Sequence, residues 1–144
     1  MTHARSKIIK VEEKVVDMTE KEMKVLIKSQ QGEIDAVLMY QALARVAKNK
    51  HDSEVFLKLA SEEGHHGAVF KELTGQTLKP KRTKAVLLPI LYRVLGRKRL
   101  YPLIAKGEYD AAKTYEPVAK RFPSVQSVKA DEKRHGDTVL ALLQ

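Results

Sequence analysis

Two short stretches place glutamate and histidine at a spacing that suits a metal. Residues 62–66 read Glu-Glu-Gly-His-His and contain two overlapping Glu-x-x-His pairs, Glu62 with His65 and Glu63 with His66. Residues 131–135 read Asp-Glu-Lys-Arg-His and contain one more, Glu132 with His135. At helical pitch, side chains three apart sit on adjacent ridges of one face, so a Glu and a His reach a common point. Carboxylate oxygen with imidazole nitrogen suits iron or manganese. Structural zinc more often draws on thiolates, and the chain has no cysteine. That absence also excludes disulfides and thiol redox chemistry.

Helical register separates the overlapping pairs. Phe56, Leu59, Glu63, His66, Phe70 and Leu73 form one stripe at steps of three and four. Lys58, Glu62, His65, Val69 and Glu72 form a competing stripe that is mostly polar. Glu63 and His66 therefore face a core, while Glu62 and His65 lean toward solvent or a flank. The pattern returns in Val125, Val128, Glu132, His135, Val139 and Leu142, with Asp131 on the polar side. Two further stripes carry a single inward Glu each. One is Leu26, Gln30, Glu33, Val37, Tyr40 and Ala44; the other is Tyr101, Ile104, Glu108, Ala111, Tyr115 and Val118. Four ionised carboxylates in an apolar core would each cost several kcal/mol without compensation. No Lys or Arg lies on the central stretches of these stripes to pair with them. Two divalent cations balance the four charges, and neutral imidazoles complete the coordination.

A second regularity runs through both halves. Tyr40 follows Glu33 by seven residues, as Tyr115 follows Glu108, so each half reads Glu-x6-Tyr … Glu-x-x-His. Seven residues are nearly two turns, which puts each Tyr on the face of its Glu. The repeat relates the halves by a pseudo-twofold axis. The phenols are either donors to the ligands and redox-active neighbours of the metals, or ordinary amphipathic core residues; spacing alone does not choose.

The elements that carry these residues are helical. Thr19 followed by Glu22 forms a capping box, opening a helix from Glu20 to about Lys48. After the loop at residues 49–53, Asp52 or Ser53 caps a second helix that ends at Gly75. A polar connector leads to a short apolar segment, residues 85–96, read as a helix broken or started at Pro89 and packing Val86, Leu87, Leu91 and Val94 on the bundle. A third long helix spans Leu100 to Arg121, and Ser124 caps a fourth after Pro123. No run of strict alternation argues for a sheet. The fold expected is all-α, a four-helix bundle of two hairpins joined by a long crossover with a short helix. Residues 19–144 make that domain. Residues 1–18 form a basic tail or a short amphipathic segment in which Ile8, Val11 and Val15 share a helical face.

With 144 residues the chain is one domain with room for a core. Its 27 Lys plus Arg outnumber 18 Asp plus Glu, with much of the excess at Lys7, Lys10 and the stretch from Lys79 to Arg99. Such a balance admits an acidic partner, nucleic acid or anionic membrane. Aromatic interleaving suited to nucleic acid is nearly absent, and solvated crossover bases explain the charge as well, so neither nucleic acid nor membrane is the favoured partner. With no secretory segment and no run of transmembrane length, a cytoplasmic address is expected.

At the site residues the sequence resembles the rubrerythrin branch of the ferritin-like di-iron carboxylate proteins. The matching pieces are QQGEIDAVLMYQALA, LASEEGHHGAVFKELTG, KGEYDAAKTYEPVA and KADEKRHGDTVLALL, running from about Gln30 to the C-terminus, so the resemblance spans about four-fifths of the chain. The resemblance implies a centre of two iron ions, or manganese, held by Glu33, Glu63, His66, Glu108, Glu132 and His135, with Glu63 and Glu132 bridging. It implies reduction of hydrogen peroxide or dioxygen with oxidation of Fe(II), and a homodimer. Tyr40, Tyr115, Glu62 and His65 are the candidate outer neighbours, His65 as a proton shuttle or a plain surface residue.

Two departures bear on activity. Rubrerythrins carry an additional third-helix Glu that shifts with redox state, whereas Ala105 and Ala111 flank Glu108 here; Asp110 and Glu116 lie off the stripe. The Cys-rich rubredoxin module is also missing, so electrons would come from an external donor. The readings that follow are a di-iron peroxidase, a ferroxidase for iron handling, and third a binding module built on the basic surface.

Overall fold

The computed structural model describes residues 7–11 and 14–144. Five helices follow a short hairpin: β1 (Lys7–Val11), β2 (Lys14–Met18), α1 (Glu20–Val46), α2 (Lys50–Thr74), α3 (Thr83–Leu95), α4 (Arg97–Ala119) and α5 (Pro123–Ala141). α1 packs along α2 and α4 along α5, while α3 lies mainly against α1. These are the two hairpins and the crossover of a ferritin-like bundle.

Local chemistry sets the helix ends. Thr19 and Glu22 form the capping box, each side chain accepting from the other's backbone N–H at 3.1 and 3.0 Å. Gly75 closes α2 at φ 67°, where a side chain would be strained. Three boundaries differ from the sequence reading. Asn49 caps α2, accepting from the Asp52 N–H at 2.7 Å, because Asp52 is turned inward to Arg97 and Tyr101 and Ser53 donates to the Ala44 carbonyl. Phe122 stands before α5 with no side-chain cap, and Pro123, rather than a Ser124 cap, starts it with a φ already suited to a first turn. α3 runs through Pro89 instead of breaking or starting there, at the cost of one backbone hydrogen bond.

Two further expectations are corrected. Lys7–Val11 and Lys14–Met18 form an antiparallel pair with Lys7 opposite Met18 and Val11 opposite Lys14, so Ile8, Val11 and Val15 lie on strands and share no helical face. β-Branched residues at 8, 9, 11, 15 and 16 favour that extended backbone. On α3, Val86, Leu87 and Val94 are exposed, Val94 at 74%; the packed side chains are Leu88, Leu91 and Tyr92. The helix is apolar nearly all round, so periodicity could not say which side meets the bundle.

The core falls into two apolar clusters. One gathers Tyr40, Leu43, Phe56, Leu59, Tyr101, Ile104 and Val139. The other gathers Leu26, Phe70, Leu73, Tyr115, Val118, Phe122 and Val128. Each fully buried large apolar side chain contributes about 1.5–3 kcal/mol. Between the clusters lies a polar layer crossing all four long helices. Among the described residues, no helix is long and apolar enough to cross a membrane.

Candidate metal centre

The polar layer consists of Glu33 on α1, Glu63 and His66 on α2, Glu108 on α4, and Glu132 and His135 on α5, all buried. Every inward stripe read from the sequence meets here. Glu63, His66, Glu132 and His135 each offer a ligand atom within 4.8 Å of the others. The His66 Nδ1 lies 3.0 Å from Glu132 Oε1, 3.1 Å from Glu63 Oε1 and 3.4 Å from Glu33 Oε2. The His135 Nδ1 lies 3.0 Å from Glu63 Oε1, 3.6 Å from Glu132 Oε1 and 3.7 Å from Glu108 Oε2. The two imidazoles stack with centroids 5.3 Å apart. Glu63 and Glu132 thus lie between the histidines, with Glu33 and Glu108 at opposite ends.

The tyrosines join the site crosswise. Tyr40 donates to Glu108 and Tyr115 donates to Glu33, so each hairpin's phenol holds the other hairpin's lone glutamate. This crossing requires α1 and α4 to run antiparallel. It also decides the question that spacing left open: both phenols are partners of the carboxylates. Burial and the facing carboxylates raise both phenol pKa values, which keeps them protonated as donors.

A further partner escaped the sequence reading. Asp131, placed on a polar side, reaches from α5 to the His66 Nε2 at 2.8 Å. Its counterpart Glu62 lies 3.7 Å from the His135 Nε2 and accepts from Arg134. The acid before each Glu-x-x-His therefore faces the histidine of the other hairpin, Asp131 within hydrogen-bond reach and Glu62 beyond it. Aligning the two repeats would have exposed the equivalence of Glu62 and Asp131; helical faces alone could not. An N–H aimed at Asp131 leaves the His66 Nδ1 lone pair facing the carboxylates. His65, by contrast, is exposed and has no place in the cluster.

Electrostatics show what this layer lacks. Burial first, then Glu33, Glu63 and Glu108, push the Glu132 carboxyl up to about 12. Burial and Glu63 likewise raise Glu33 to about 7. Burial opposes charge on Glu63 too, but the adjacent His135 and His66 imidazoles outweigh it and hold that carboxyl down, to about 2. Burial lowers the histidines, but the carboxylates facing them prevail: His135 rises to about 9, and His66 rises further. Without a cation, then, the layer must retain protons to relieve like charge. Even so, Glu33 Oε2, Glu108 Oε2, Glu132 Oε1 and both His135 ring nitrogens have no hydrogen-bond partner among the described residues. Buried polar atoms are seldom left so. Bound divalent cations would pair these atoms and replace the protons, so the donor set fits a metal.

A bundle with buried glutamates and histidines at its waist fits the class of helical proteins with a carboxylate-type metal site. The rubrerythrin family profile matches residues 24–143, and the chain belongs to that family. Comparisons with curated proteins and with solved structures return no match.

Proposed function

We propose that the chain is a non-haem di-iron oxidoreductase that reduces hydrogen peroxide or dioxygen. The observation that carries this reading is the set of orphaned acceptor atoms in a pseudo-symmetric layer of four glutamates and two histidines. Glu33, Glu63, His66, Glu108, Glu132 and His135 would hold the metal. When bound, ferrous iron supplies the electrons that reduce the oxidant. Asp131 keeps the His66 imidazole oriented, and Tyr40 and Tyr115 hold the terminal glutamates while keeping protons within reach of the layer. An external donor would restore the ferrous state.

A ferroxidase role is the second reading, favoured by one position. Ala111 stands one turn beyond Glu108 on the same side, where a further carboxylate would reach the centre. Metal analysis of anaerobically purified protein should find two irons per chain, oxidised stoichiometrically by peroxide. Glu63→Ala and Glu132→Ala should abolish both loading and turnover; variants as active as the wild type would end the proposal. Faster oxidation by dioxygen, with release of ferric product, selects the ferroxidase.

A further inference from the structure

A groove of about 460 Å³ opens between α1 and α4 and reaches the carboxylate layer, with Glu33, Glu63, Glu108 and Glu132 on its floor. Its volume falls within the ~300–1,000 Å³ of small-molecule sites. It exceeds what peroxide or dioxygen needs by roughly tenfold, taking a water's share of liquid as about 30 Å³. The walls are apolar. Beneath α3 they consist of Leu88, Leu91, Leu100 and Ile104, all half-buried or buried; at the open end stand the exposed Lys28 and Lys84.

Two glycines make the groove. Gly32 and Gly107, each just before a terminal glutamate, both line it, and a Cβ at either would meet nothing within 4 Å. Glycine inside a helix costs about 1 kcal/mol relative to alanine, and no neighbour in the fold requires it at either position. One turn beyond the glutamates, Ala36 and Ala111 continue the same lining. Space is thus kept open in both halves where larger side chains would close the approach.

Charge indicates the occupant. From Lys79 to Gly107 there are nine Lys or Arg and no Asp or Glu. Nearby acids are engaged: Asp35 accepts from Gln31 and from the Lys81 N–H, and Asp110 pairs with Lys106. A second copy seated on this face would bring two basic rims together, which costs energy. A flat bilayer surface would not fill a recess that runs beneath α3. We infer that the groove binds a long-chain anionic amphiphile of the acyl carboxylate class, its head held by Lys28 and Lys84 and its chain lying under α3 across the carboxylate layer. This rests on the groove and its rim, and holds whichever metal occupies the centre.

Dodecanoate is the probe, titrated calorimetrically into the full chain with and without iron. Saturable one-to-one binding is expected, with dodecanol weaker and acetate silent. Lys28→Glu with Lys84→Glu should weaken dodecanoate about five- to tenfold, as expected for two exposed ion pairs. Gly107→Leu and Gly32→Leu should remove binding while leaving the thermal midpoint equal or higher. The inference is overturned if dodecanoate fails to saturate, or if the leucine variants bind it as well as the wild type. It is also overturned if phosphatidylglycerol vesicles bind while free dodecanoate does not, or if sedimentation shows a dimer through this face that Leu103→Asp, in the groove lining, dissociates. Loss of iron binding with dodecanoate binding intact would count against the metal reading alone.

Discussion

Asp131 shows how a residue outside the donor set can control it. Its carboxylate fixes one ring nitrogen of His66, so the other is presented to Glu63 and Glu132 without a search among ring orientations. Removing such a partner typically costs 10–100-fold in metal affinity. Asp131→Ala should therefore weaken Mn(II) binding by about that factor, read by titration with a redox-silent ion, while the fold persists because the side chain is partly exposed. Asp131→Asn, which keeps an acceptor, should lose less. Equal affinity in all three proteins would reduce the contact to a surface ion pair. The same residue marks the limit of reading by register. Register selected Glu63 over Glu62 and His66 over His65 because those choices depend on faces within one helix. The Asp131 contact joins two helices, so it becomes visible only when they are packed.

Between elements, the repeat extends to glycines with opposite roles. Gly67 and Gly136 follow the two site histidines, and each is covered by the residue after a terminal glutamate, Ile34 or Tyr109. A Cβ at Gly136 would fall 2.5 Å from the Tyr109 ring, whose hydroxyl is tied to Asp137. Gly136→Ala should destabilise the protein by about 1–3 kcal/mol, since overpacking outweighs the gain in helix propensity. Gly107→Ala, facing open groove, should instead stabilise by up to about 1 kcal/mol. Denaturant midpoints moving in opposite directions are the expected result; a shared sign would contradict this account of the helix spacing. The long helices and their stripes were legible because each has one apolar face. α3 was not, being apolar on all sides. The N-terminal hairpin was missed because five-residue strands are too short for alternation to be distinguished from a helical face.

At the scale of the molecule, the polar layer sets opposite pH dependences with and without metal. In the metal-free protein Glu132 keeps its proton up to about 12, Glu33 to about 7 and His135 to about 9, while His66 also holds its proton more tightly than a free imidazole. Unfolded carboxylates release theirs near 4.5 and unfolded histidines near 6.5. Between about pH 5 and about pH 9 the folded state therefore binds more protons than the unfolded chain, and stability falls as pH rises. Glu63, held down to about 2, acts in the other direction, but its stabilisation is lost only as pH falls below the ordinary carboxylate range. The thermal midpoint of metal-free protein should thus decline steadily from about pH 5.5 to about pH 8.5. Metal binding displaces those protons, so the stabilisation from a fixed excess of Mn(II) should grow over the same interval. Paired thermal scans test both slopes. A metal-free midpoint that climbs with pH would mean the carboxylates are already charge-balanced, removing the electrostatic reason for a cation at the centre of this bundle.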